Sequence, residues 1–258
     1  MKKLKSLLLV SFIFSSKILL AQTAIVPSVV GNQPEQSLSQ PLVLLFALVA
    51  LGMLPIVVMM STSFVKISVV LGLVRNALGT QQIPPNTVIT GLALIMTIYI
   101  MTPVGLDIYK ATNQTINQGT NQPLLSQVTV NLLVKGLGEA KEPMKNFLLK
   151  HAHAKEKELF LNLARKMRSP EDKESVTDKD FQILIPAFVI SELSEAFQIG
   201  FIVFLPFLVV DIVVTNILLS LGMFQVSPVT IALPFKLLLF VMVDGWHLIA
   251  KGLVMGYV

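Results

Sequence analysis

The chain has no cysteine, which removes disulfide frameworks, thiolate metal sites and cysteine nucleophiles at a stroke. Charge is scarce as well: Asp, Glu, Lys and Arg make up 14% of 258 residues, against about 25% in an ordinary soluble domain. With 53% apolar residues and a mean hydropathy of +0.74, so little charge excludes an ordinary water-facing globule and marks a membrane protein. The net charge of +5 is spread among nearly as many acids. No dense Lys/Arg block or aromatic platform occurs, so nucleic acid is not an expected partner. Catalytic signatures are missing too, with no Walker loop, H-E-x-x-H or nucleophile elbow. His151, His153 and Glu156 lack a third convincing metal ligand and sit in a Lys/Glu-rich stretch that reads as a solvated helix face. No enzymatic activity, cofactor or metal is expected.

What is present is long apolar sequence. Met1 to Lys5 is basic, Ser6 to Leu20 is apolar apart from Lys17, and Leu19-Leu20-Ala21 precedes Gln22 as a small-residue cleavage site, so residues 1–21 read as a secretory signal peptide or an uncleaved anchor. A segment 22–40 follows it. Leu42 to Met60 and Val88 to Leu106 are each 19 uncharged residues, enough to span a bilayer as helices, and together they make a first hairpin over 41–106. Phe181 to Met223 is about twice a membrane thickness and contains Pro186 and Pro206, so it is either one long kinked helix or a re-entrant hairpin. Val229 to Val258 carries Pro234, Lys236 and Asp244 inside a further helical pattern, completing a second hairpin over 181–258. Apolarity on every face, without alternation, excludes a sheet. The expected fold is an all-α membrane protein of long kinked helices or helical hairpins, built from about four apolar blocks.

Between the hairpins, residues 107–180 are hydrophilic. Asn113 to Gln127 reads as a loop, Met144, Phe147, Leu148, Leu159, Phe160 and Leu163 place at least one amphipathic helix within Lys141 to Met167, and Ser169 to Asp172 reads as its stop. An N-terminal signal puts this region outside the cytoplasm. Its many cations do not reverse that reading, because the positive-inside bias is counted over short loops and acids accompany these cations.

Lys66, Arg75, Glu192, Glu195, Asp211, Lys236 and Asp244 lie in or beside the apolar blocks, where each charge costs about 2.5–3.5 kcal/mol at a helix centre. Most must face protein or water, either as snorkelling interface residues or as assembly contacts. Glu192 and Glu195 are three apart, share a helix face and repel, so they need a cation from another segment or another copy. Lys236 and Asp244 stand about 12 Å apart along a helix, too far to pair within it. Two loops also stand out. Arg75 to Asn86 has Gly79 as a helix cap and Pro84-Pro85 as a stop. Leu221 to Pro228 puts a thioether and an aromatic ring, Met223 and Phe224, beside Gln225 in a short turn. That turn is either a loop in apolar surroundings or a soft hydrophobic constriction.

Three stretches resemble one family, the FliP/SctR proteins of type III secretion. They are TSFVKISVVLGLVRNALGTQQIPPN over residues 62–86, IPAFVISELSEAFQIGFIVFLPFLVVD over 185–211, and LPFKLLLFVMVDGW over 233–246, in the family's order and spacing. Phe147 to Met167 and Lys251-Gly-Leu look more like the virulence SctR branch than the flagellar FliP branch, although a cleavable signal is more typical of the latter. The resemblance implies an inner-membrane, multi-pass subunit with a periplasmic region. It implies a pentameric homo-oligomeric ring with SctS/FliQ-type and SctT/FliR-type subunits, placed on the SctU/FlhB-type switch protein and the SctV/FlhA-type export gate. The ring encloses a channel for unfolded proteins, and clustered methionines in the turn between the last two helical blocks form a gasket. Here that turn reads Met223, Phe224, Gln225, which keeps apolar bulk and adds one polar group.

The function expected is therefore a passive gated conduit for exported chains. A rival class is a small-solute or ion transporter subunit using the buried acids as a relay, which requires uptake by the purified chain alone. A third is a structural membrane anchor, which requires that residues 221–228 tolerate any substitution.

Overall fold

A computed structural model describes residues 39–80, 83–119, 127–169, 172–173 and 175–258. The signal-peptide reading of residues 1–21 and the segment up to residue 38 lie outside them. Eight helices and no strand occur among the described residues, which makes this an all-α membrane protein: α1 (Ser39–Met60), α2 (Phe64–Leu78), α3 (Asn86–Gly119), α4 (Gln127–His151), α5 (Ala154–Met167), α6 (Phe181–Ser220), α7 (Pro228–Met242) and α8 (Gly245–Met255). The described residues fall into two units, one ending at Gly52 and the other running from Met53 to Val258. By length and composition, Asn86–Asn113 and Phe181–Ser220 can each cross a membrane, and α7 with α8 makes a third if that bent pair is one span.

Each boundary has a local cause. Gly79 ends α2 at φ 77°, a left-handed conformation open to a residue without Cβ, and its N–H returns to the Asn76 carbonyl. At the far end of α6 the Met223 N–H reaches Leu218 O at 3.0 Å and the Gly222 N–H reaches Leu219 O at 3.0 Å, with Gly222 at φ 71°. This is a Schellman closure, and Pro228 then opens α7 at a position that needs no N–H. Asp244 holds a left-handed φ of 51° between α7 and α8, whose axes bend by 60°.

Of the two forms left open for Phe181 to Ser220, the structure has one 40-residue helix with Pro186 and Pro206 inside it. The amphipathic stretch, expected to hold at least one helix, holds parts of two, α4 and α5, separated at Ala152–His153, and the Lys/Glu-rich second part lies along α6. One reading changes. Helix α3 runs through the Asn/Gln-rich segment as far as Gly119 where a loop is expected, since Asn, Gln and Thr disfavour helix only slightly and a preceding helix carries them along.

The core of the second unit is centred on α2. Ile67, Val70, Val74 and Ala77 are fully enclosed, and they meet Leu184, Ala187, Phe188 and Ala196 of α6. Helix α2 also packs on α3 and α7, and α4 and α5 lie against α6. At Gly200 helices α2 and α6 come close, for a Cβ there would press on the Leu73 side chain.

Candidate functional site

The candidate site consists of two charge clusters, which α2, α6 and α7 bring together, and one apolar turn between α6 and α7. In the first cluster Lys66, 2% exposed, projects from α2 towards α6. Its Nζ lies 2.6 Å from Glu195 Oε2 and 3.2 Å from Glu192 Oε1, the latter an electrostatic contact without hydrogen-bond geometry. Glu192 is fully enclosed. One lysine thus serves two carboxylates that share a face of α6, supplying from another segment of the same chain the cation that their spacing demands. The remaining atoms find partners on the hydrophilic helices and the last residues. The Tyr257 hydroxyl donates to Glu192 Oε2, and His153 Nε2 lies 2.7 Å from Glu195 Oε1. The Tyr257 ring also sits under the Lys66 ammonium, 4.2 Å from centroid to Nζ, a cation–π contact strengthened by exclusion of water. Ser191 completes the group by accepting the His153 backbone N–H at 2.9 Å and donating to Ala187 O at 2.8 Å.

The second cluster joins three helices. Lys236 of α7, 4% exposed, donates to Asp211 Oδ2 of α6 at 2.7 Å and to the Ala77 carbonyl at the end of α2 at 3.2 Å. A cation at a helix C-terminus complements the unpaired carbonyls there. Asp211 Oδ1 is buried without a hydrogen-bond partner among the described residues. Arg75 is half-buried and its Nη1 donates to Asn86 Oδ1, closing the loop between α2 and α3. Asp244 stands apart. It is exposed at the α7–α8 bend, so within this chain it is not a buried charge.

The turn after α6 presents its side chains outward: Met223 is 44% and Phe224 77% exposed, with Gln225 exposed beside them. The two histidines do not share a solvated helix face. His151 ends α4 and packs against the rings of Phe147 and Tyr257, at centroid distances of 4.8 and 5.0 Å. Burial, and then the charges of Lys150 and Lys66, lower its pKa to about 4, so it is neutral at pH 7. His153 heads α5 and turns to Glu195. Sequence reasoning misses Tyr257 and Ser191; the one available signal is that a tyrosine hydroxyl in an apolar tail needs a partner when buried.

A family model described as the FliP family matches residues 47–253, which contain the turn and, apart from Tyr257, both clusters. The chain is a member of the FliP family. Among similar proteins, the hypersensitivity response secretion protein HrcR of Ralstonia nicotianae is 43% identical over 81% of this chain and 94% of its own length. Yop proteins translocation protein R of Yersinia pestis is 43% identical over 83% and 95%. The flagellar biosynthetic protein FliP of Bacillus subtilis is 41% identical over 89% and 98%. Within this FliP-family chain, Lys66, Glu192, Glu195, Asp211 and Lys236 are drawn into two internal clusters, while Met223, Phe224 and Gln225 lie apart from them.

Proposed function

We propose that this chain is a protein-export subunit of a type III secretion apparatus that forms, in several copies, the gated channel through which unfolded proteins pass. Relatives named for secretion, translocation and flagellar biosynthesis support an export role, and the two secretion-type names favour the virulence branch. The observation that carries the gate is the exposed apolar turn, Met223 and Phe224, held at the junction of two packed apolar helices by a Schellman closure. Copies of such a turn around one axis make a narrow neck that water leaves, which blocks ions yet yields to an extended polypeptide. The paired carboxylates argue against the rival relay: Glu192, Glu195 and Asp211 each face a lysine, so they hold helices together rather than stand free to carry protons.

In this reading the chain sits in the bacterial inner membrane with 107–180 on the periplasmic side. It forms a ring, pentameric in the family it resembles, with SctS/FliQ-type and SctT/FliR-type subunits, beside the switch and export-gate proteins. Met223→Ala with Phe224→Ala then leaves assembly intact but lets ions leak through the assembled complex in a planar bilayer, while Gln225→Met keeps or tightens the seal. A double variant that assembles and stays as non-conducting as the parent rejects the turn as the constriction. For orientation, a cysteine at Ser169 reacts with a reagent that cannot cross the inner membrane; reaction only after lysis rejects the periplasmic assignment.

A further inference from the structure

The first cluster contains one group that the export role does not absorb. Tyr257 lies past residue 253, where the family match ends, yet it touches the buried network on several sides. Its hydroxyl gives Glu192 Oε2 its hydrogen bond, its ring lies beneath Lys66 Nζ, and its other faces meet Phe147 at 6.2 Å, stacked, and His151 at 5.0 Å. The next residue is tied as well, since the Val258 carbonyl accepts from Lys150 Nζ at 3.2 Å.

We propose that Tyr257 is the positioning residue of the Lys66 cluster: it fixes the ammonium between the two carboxylates of α6 and clasps helix α4 to them. The argument is one of competing demands. Two carboxylates three residues apart share one ammonium here, so one negative charge has no cation of its own and the remaining carboxylate lone pairs need other donors. Glu195 obtains its donor from His153, which is 45% exposed and faces water. Glu192 is fully enclosed, and Tyr257 is its only non-lysine donor among the described residues. The ring adds a further attraction on another side of the ammonium, because a cation over an aromatic face is drawn towards the ring. Tyr257 and His153 therefore hold the two acids from two sides, one clasp dry and one wet, and both converge on Lys66.

This inference rests on the export reading only for its consequence, the register of α6 against α2; the clasp itself is measured on the purified full-length chain. The chain lacks cysteine, so an Ala152→Cys reporter, buried between the two clasps, is a single reactive thiol. In that background Tyr257→Phe keeps the ring under Lys66 and removes the donor, while Tyr257→Leu removes both. Opening of the α4–α5 junction, read as thiol labelling in detergent, rises about tenfold for Phe, as for loss of a hydrogen bond to a charged group, and further for Leu. With Glu192→Leu the Phe substitution adds nothing, because its acceptor is gone. Phe equal to Tyr in labelling, or effects of Tyr257→Phe and Glu192→Leu that simply add, overturns the proposal and leaves Tyr257 as packing. Should Tyr257→Leu fail to fold, the Tyr, Phe and Glu192→Leu combinations still decide it. A sealed ring with a normal clasp but no dependence on Met223 or Phe224 strikes at the gate alone, so the two failures are distinguishable.

Discussion

The two halves of α6 are built on opposite terms. From Phe181 to Gly200 its inward residues, Ile183, Leu184, Ala187, Phe188, Ser191, Glu192 and Ala196, are enclosed by α2, α4 and α5, and its charges are answered within the chain. From Phe201 to Ser220 only Phe207, Val214 and Leu218 are buried, and an apolar groove of about 410 Å³ opens between α6 and α7 over Val213, Ile217, Ile231 and Phe235. The first half contains its own partners; the second presents a run of exposed apolar side chains, among them Phe201, Ile202, Val209, Ile212 and Ile217. A chain made this way has a self-sufficient hub and an outer arm that lipid or other subunits must cover.

The largest test of that contrast removes the hub's cation. Lys66→Met leaves the enclosed Glu192 without its cation, a loss of about 3–5 kcal/mol. Thermal unfolding of the purified chain in detergent reads it, with Ile217→Ala in the outer half as the matched control expected within about 0.5 kcal/mol. Equal losses from the two substitutions erase the distinction between the halves.

A smaller effect is expected from Lys236→Met. It strands Asp211, which is 29% exposed at its side chain and can recover some water, so the loss is about 1–3 kcal/mol. A loss as large as that of Lys66→Met places both clusters in one hub and extends the self-contained region past Gly200.

Acidification sharpens the contrast further. The folded chain keeps His151 neutral down to about pH 4, because burial and then the charges of Lys150 and Lys66 oppose protonation, whereas an unfolded histidine takes its proton near pH 6.5. Between those values the unfolded state binds more protons, so the stability His151 contributes is present above pH 6.5 and falls away towards pH 4. His151→Phe therefore flattens the pH dependence of unfolding over this range. An unchanged slope in that variant removes His151 from the account.

Much of this was legible in the residues, and the reason is chemical. Long uncharged runs leave helix as the sole option in a membrane, and the seven costly charges, the Gly79 cap and the Met223-Phe224 turn each break an expectation strongly enough to be seen. What was not legible is pairing across the chain. Lys66 lies 126 residues before Glu192, Tyr257 lies 65 after it, and no local periodicity carries such separations. The split of the amphipathic stretch at Ala152–His153 was hidden for a related reason. Both halves have good helix formers, and the break is dictated by where α5 must turn to reach Glu195 on α6.

The smallest expected effect concerns the bend that turns α8 away from α7. Asp244 holds φ 51° there, a conformation in which Cβ crowds the following carbonyl and costs about 1–2 kcal/mol for most residues, less for aspartate. Its side chain is exposed, so its charge contributes little to the fold, while its carbonyl accepts the Leu248 N–H at 3.1 Å and starts α8. Asp244→Gly removes the crowding but loosens the unfolded chain, and the balance is a gain of about 0.5 kcal/mol. Asp244→Ala keeps Cβ without the tolerance of aspartate for this conformation and loses about 1 kcal/mol. Opposite signs for the two variants in thermal unfolding mean that backbone geometry sets the 60° bend. If alanine matches aspartate, the bend is imposed by the packing of Phe240 against Trp246, whose rings meet edge to face at 5.2 Å, and the outer arm is held by its aromatic contacts rather than by its backbone.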